Sequence, residues 1–162
     1  MRLLVVCLGN ICRSPMAEGL IRARIEASPL RGRVDVDSAG TGDWHVGQPP
    51  DRRAISTARR HGIEIGGQRA RELVAADGER FDWLLCADGD NLDAVRRRID
   101  PSCHPRAERL LVWAGIAAAD VPDPYTGDER AFERVWALLD AAADGVVARL
   151  LAESAAAPRR SP

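Results

Sequence analysis

Near its start the chain reads Cys7-Leu8-Gly9-Asn10-Ile11-Cys12-Arg13-Ser14, a thiol separated by five residues from a guanidinium with a hydroxyl beside it. Set between a strand and a helix N-terminus, this loop would turn successive backbone N–H groups into one concavity. The helix dipole would add partial positive charge there, and such a nest holds a tetrahedral dianion. Gly9 permits backbone angles that a side chain forbids, and Asn10 tolerates the left-handed region better than most residues. Arg13 offers a planar fork matched to two phosphate oxygens, a geometry Lys lacks. Cys7 would lie at the bottom of the cradle, where the same amides favour a nucleophilic thiolate. A cysteine at a strand end is by itself an ordinary core thiol; the combination with Arg13, Ser14 and the strand-to-helix setting makes it a nucleophile.

A second candidate lies far along the chain. Asp123 sits in Val-Pro-Asp-Pro-Tyr, where flanking prolines fix the backbone and suit a loop that aims one carboxyl group. Alone, Asp-Pro is a common turn dipeptide; opposite a thiolate and a guanidinium it is a general acid. Tyr125, the only tyrosine, and Trp44, in a polar loop between Asp43 and His45, are candidate aromatic walls for a substrate ring, with Ile11 adding an apolar contact.

These groups need a frame, and the pattern supplies one. Leu3 to Cys7 is a continuous apolar run, as in a strand buried on both faces. Ser14-Pro15 predicts a helix start, Ser14 as N-cap, with Ala17, Leu20, Ile21 and Ile25 on one face. A strand is expected over 33–38, a helix over 51–61 ended by Gly62, a strand over 81–86, a helix over 88–99 and a strand centred on 109–113. A long helix follows Gly127-Asp128, its apolar residues from Phe132 to Leu150 recurring at three and four. Strands alternating with helices predict a small doubly wound α/β domain, a four-stranded parallel sheet with helices on both faces and a phosphate-binding loop after the first strand. One domain is expected over 1–153, with 154–162 a disordered tail.

Composition narrows the function. At 162 residues with 46% apolar and 29% charged residues and a net charge of −1, the chain has no global field, which excludes nucleic acid as a partner. All 23 cationic residues are Arg and none is Lys, a bias of the kind a GC-rich bacterial genome produces. No stretch is apolar enough for a membrane span and the N-terminus is too short for a signal peptide, so a cytoplasmic monomer is expected. Cys7, Cys12, Cys86 and Cys103 form no CxxC pair and have no His at ligand spacing, so neither metal nor other cofactor is expected.

Cys7 to Ser14, continued by Pro15-Met16-Ala17-Glu18, resembles the signature of low-molecular-weight protein tyrosine phosphatases. The likeness extends through Asp37-Ser38-Ala39-Gly40-Thr41, Trp44, Pro49-Pro50, His61-Gly62-Ile63 and Asp123-Pro124-Tyr125, nearly the whole chain. The resemblance implies hydrolysis of phosphotyrosine in two steps: Cys7 forms a cysteinyl-phosphate while Asp123 protonates the leaving phenolate, and water activated by Asp123 then releases phosphate. Arg13 and the amides of Leu8 to Arg13 would hold the equatorial oxygens. Ser14 would donate a hydrogen bond to the Cys7 sulfur, and Asn10 would hold the loop through a network reaching Ser38. Cys12 would form a reversible disulfide that protects Cys7 from further oxidation. The implied partner is a tyrosine-phosphorylated protein, among bacterial members often a tyrosine kinase.

Two positions depart from the pattern. Thr126 stands where many members carry a second tyrosine, and Gln68 where bacterial relatives often carry His, which predicts different wiring around Asn10 and Ser38. His45, His61 and His104 are weak catalytic candidates. Arsenate reduction on the same scaffold needs two further closely spaced redox cysteines, and Cys86 and Cys103 are far apart. Phosphoarginine phosphatases resemble the chain but place Thr where Ile11 stands. A non-catalytic phosphate-binding module would lack the nucleophile or the acid, and both are present.

Overall fold

The computed structural model describes residues 1–117 and 120–156. Its elements in chain order are β1 (Arg2–Cys7), α1 (Arg13–Glu26), β2 (Asp35–Gly40), α2 (Arg52–Arg60), α3 (Asp77–Arg80), β3 (Trp83–Cys86) and α4 (Gly89–Arg98). A 3₁₀ segment (Pro101–Arg106), β4 (Ala107–Arg109), α5 (Leu110–Trp113) and α6 (Glu129–Ala156) complete it. The four strands form one sheet in the order β2-β1-β3-β4, parallel throughout.

β1 shows why its sequence lacks alternation. Leu3, Val5 and Cys7 pack into the core beneath α1, α5 and α6, whereas Leu4 and Val6 pack into the opposite core with Leu84, Cys86, Leu92, Val95 and Ile99. A strand with apolar neighbours on both faces must be apolar at every position. From β1 the chain pairs first with β2 on one side and later with β3 on the other. The crevice beyond their carboxyl ends is the switch point where doubly wound folds bind ligands, and Cys7 ends β1 there.

The expected strand centred on 109–113 is corrected. β4 is Ala107–Arg109, and Leu110–Trp113 is a helical turn. Leu110, Leu111 and Trp113 enter the same core while Val112 is exposed. A strand would send Leu110 and Leu111 to opposite faces; a helical turn brings all three to one. β2 also starts two residues later than expected, because the Arg33 N–H turns back to the Leu30 carbonyl. Ser14 does not cap α1. Cys12 holds that position without a side-chain bond, and the Ser14 hydroxyl is used in the site. Of the expected tail, Ser154 to Ala156 continue α6, and 157–162 lie outside the described residues.

Candidate active site

The loop from Leu8 to Cys12 passes from β1 into α1. Its carbonyls are drawn outward: the N–H groups of Thr41, Gly42 and Asp51 donate to Cys7 O, Leu8 O and Ile11 O at 2.9, 2.9 and 2.8 Å. Among the described residues, the N–H groups of Leu8 to Cys12 donate to no protein atom. That arrangement leaves a row of donors for an anion. The end of β2 supports the loop closely, since a Cβ on Gly40 would lie 2.8 Å from Leu8 O and 3.1 Å from Asn10 N.

Asn10 holds the left-handed conformation, φ 55°, the one non-glycine residue to do so among the described residues. Its amide is fully used. Nδ2 donates to Ser14 Oγ at 2.8 Å and to Ser38 Oγ at 2.9 Å, while Oδ1 accepts from the Arg71 N–H at 2.9 Å. Because Ser14 Oγ already accepts from Asn10, its proton is free for the Cys7 sulfur 3.0 Å away. Ser38 in turn donates to Glu18 Oε2 at 2.6 Å. Burial pushes the Glu18 carboxyl up against the opposing effect of that bond and of Arg22. The network therefore closes through Glu18 and Arg71. Gln68 stays outside it, donating to Pro15 O at 3.1 Å and leaving Oε1 buried without a partner.

Arg13 is almost wholly buried and faces two acids. Nη1 donates to Asp88 Oδ2 at 2.5 Å and to Val121 O at 3.1 Å, and Nη2 donates to Asp123 Oδ2 at 3.2 Å. Burial would lower the pKa of its guanidinium, but the Cys7 sulfur, Asp88 and Asp123 outweigh it and the net direction is upward. Asp123 is aimed by its own turn, Oδ1 accepting the Tyr125 N–H at 3.1 Å. The Val121 N–H ties the same segment to Ala87 O beyond β3 at 2.7 Å.

Together these groups enclose a cavity of about 140 Å³ with Cys7, Arg13 and the loop at its floor and Ile11, Trp44, His45, Asp123 and Tyr125 around it. Cys7 belongs to the buried core, yet it also lines this space. Trp44 and Tyr125 are 66% and 50% exposed, as rim residues must be, and the indole folds so closely over Gly42 that a Cβ there would lie 1.7 Å from it. A larger cleft of about 560 Å³ lies beside α1, lined by residues such as Glu18, Arg22, Asp37, Glu64 and Arg69. It holds no nucleophile, so size does not mark the chemistry. Burial raises the Cys12 thiol, reinforced by Asp51, and burial likewise raises Cys86; neither competes as a thiolate. No cluster of metal-ligating groups occurs among the described residues.

The structure thus brings Cys7, Asn10, Ile11, Cys12, Arg13, Ser14, Ser38, Trp44, Asp123 and Tyr125 into one site. His61 and His104 lie elsewhere, paired with Glu133 and with Arg96 O. His45 lines the wall, its Nδ1 2.9 Å from Gln48 Oε1. Asp88 was not expected. Its only sequence signal is that of an N-cap, which it also is, accepting from the Asn91 N–H at 2.7 Å.

A thiol on an amide-lined floor, a buried guanidinium and a carboxyl group at the rim define a cysteine-dependent phosphatase site on a doubly wound fold. The family model of the low molecular weight phosphotyrosine protein phosphatases matches residues 2–156, and the chain belongs to that family of cysteine-dependent phosphotyrosine hydrolases. It is 38% identical to the low molecular weight protein-tyrosine-phosphatase YfkJ of Bacillus subtilis, over 93% of this chain and 96% of that protein. Identity to a Streptomyces coelicolor enzyme described in the same words is 39%, over 91% and 92%. The crystal structure of an Entamoeba histolytica protein tyrosine phosphatase with Hepes in its active site superposes with a TM-score of 0.90 at 33% identity, covering 95% of this chain and 99% of that one.

Proposed function

We propose that Cys7, Arg13 and Asp123 carry out in this chain the phosphotyrosine hydrolysis that defines its family. The observation that carries the assignment is the convergence of Cys7 and Arg13, from one loop, with Asp123, from a segment 110 residues beyond Arg13, on one cavity. The phosphoryl dianion enters the amide nest, and Arg13 exchanges Asp123 for two of its oxygens. The freed carboxyl then faces the leaving oxygen as proton donor. The Cys7 thiolate attacks phosphorus; as the S–P bond forms the P–O bond breaks, and the electron pair leaves on a phenolic oxygen that takes the Asp123 proton. Asp123 then accepts a proton from water, whose oxygen attacks phosphorus while the S–P pair returns to Cys7. Ser14 donates to that sulfur and makes it a better leaving group, and the amides and Arg13 hold the equatorial oxygens in both steps.

Trp44, Tyr125 and Ile11 flank the ring and give the slot its depth, so the substrate class is an aromatic phosphomonoester on a protein, with a bacterial tyrosine kinase as one such partner. Leu8 to Arg13 bind the phosphoryl group, Asn10 and Ser38 support them, and Cys12 is the resolving thiol for an oxidised Cys7. The chain works as a cytoplasmic monomer without a cofactor. Cys7→Ser is the direct test. Turnover of phenyl phosphate should disappear while vanadate still binds, and turnover near that of the unaltered protein removes Cys7 from the mechanism.

A further inference from the structure

Arg53 stands second in α2, outside the cavity, yet its guanidinium is bound on several sides. Nε and Nη2 donate to the two oxygens of Asp51 at 3.0 and 2.9 Å. Nη2 also donates to Tyr125 O at 3.0 Å and Nη1 to Gly127 O at 3.0 Å, contacts spanning more than 70 residues of sequence. The planar cation lies over the rings of Phe132 and Tyr125, 4.6 and 5.8 Å from their centroids. Its anchor is part of the phosphate loop's own support, because the Asp51 N–H donates to Ile11 O. The segment carrying Asp123 is thus pinned at one end by Val121 to Ala87 and at the other by Arg53.

Capping α2 does not need this arrangement. The Asp51 carboxylate already caps the helix by accepting from the Arg53 backbone N–H at 2.8 Å. We infer that Arg53 is a positioning residue for the general acid: through Asp51 it fixes the segment 123–127 relative to the phosphate loop, and so sets the reach from Asp123 to the leaving oxygen. This rests on the reading of Asp123 as the acid. Without the fork, the segment would pivot about Val121 and the carboxyl would drift, while the floor that binds the dianion stays intact.

Arg53→Lys keeps the charge and removes the fork. kcat/KM is compared for p-nitrophenyl phosphate, whose leaving group needs little protonation, and for phenyl phosphate, whose leaving group needs more. A misplaced acid should cost phenyl phosphate roughly tenfold more than the activated ester, since displacements of about an ångström cost up to ~10²-fold. Vanadate affinity should change less than about twofold. In an Asp123→Ala background the Arg53→Lys effect should nearly vanish, because residues acting through one group are not additive. Equal losses on both esters, or a full effect without Asp123, would overturn the inference. If Asp123→Ala alone fails to separate the two esters, the reading of Asp123 falls and this one with it. Asp51→Asn, which keeps the N–H to Ile11 but loses the ion pair, should reproduce the pattern and serves if the Lys variant does not fold.

Discussion

The floor and the rim of the active site are built by opposite rules. On the floor, Cys7, Asn10, Ile11, Cys12, Arg13 and Ser14 are all buried. Outward carbonyls, a three-bonded asparagine and a guanidinium shared by Asp88 and Asp123 fix them. On the rim, Trp44 and Tyr125 are exposed, and the Asp123 carboxylate itself is held by one turn and one ion pair although its backbone segment is pinned at both ends. The floor must stabilise charge that develops on atoms whose positions are the same for every substrate, and electrostatic stabilisation works best when nothing has to reorganise. The rim must admit a ring, protonate it and release it, which a locked wall would prevent. Perturbing the floor should therefore destroy chemistry, and perturbing the rim should change which substrates are favoured.

After removal of the nucleophile itself, the largest expected effect is that of Arg13→Lys. A lysine ammonium cannot span two phosphoryl oxygens while keeping Asp88 and Val121 O. Loss of a preorganised donor of this kind lowers kcat/KM by roughly 10²–10³-fold, read with an aryl phosphate. A loss under tenfold would show that the floor is less exacting than its geometry. Next comes Asn10→Ala, which strands the Arg71 N–H and leaves in the left-handed region a Cβ without the polar side chain that eases that conformation. Roughly 2–4 kcal/mol of stability should be lost on unfolding in denaturant. Asn10→Gly removes the same bonds without the backbone strain and should recover about 1 kcal/mol of it. Identical losses would assign the whole cost to the hydrogen bonds.

The same division governs what could be read before any coordinates. The floor is eight consecutive residues, and each type has its own local reason, so Cys7, Arg13 and Ser14 were legible together. Asp123 was legible because prolines bracket it. What could not be read was a second set of partners that reach the site across the chain: Asp88 and Asp51 look like helix N-caps and are, and nothing local in Glu18 or Arg71 announces a bond to Ser38 or Asn10. Ser14 shows the reverse error, a good cap by type whose hydroxyl the sulfur claims instead. The run from Leu110 to Trp113 was misread because four apolar residues have no readable period; only the shared core decides that they form a turn of helix.

On the rim, Trp44→Ala should leave the melting temperature unchanged, since the indole is largely exposed, and should raise KM for aryl phosphates about 3–10-fold with little change in kcat. That is the scale of one aromatic contact, ~0.5–1.5 kcal/mol. A fall in kcat comparable to that of Arg13→Lys would erase the distinction between floor and rim.

The smallest effect tests how far the floor extends behind the loop. Glu18 is buried, accepts from Ser38 and pairs with Arg22. Burial is the dominant influence and raises its carboxyl above the ordinary value of about 4.3. A group whose pKa is raised by folding favours the folded state while protonated, so its contribution is fully present below that ordinary value and is lost as pH rises through the folded one. Glu18→Gln keeps an acceptor for Ser38 and cannot ionise. Its melting temperature relative to the unaltered protein should therefore climb as pH moves from about 4 toward neutrality and then level off. A difference that is flat, or that falls with pH, would mean that Arg22 outweighs burial, leaving Glu18 an ordinary surface-type ion pair with no place in the rigid floor.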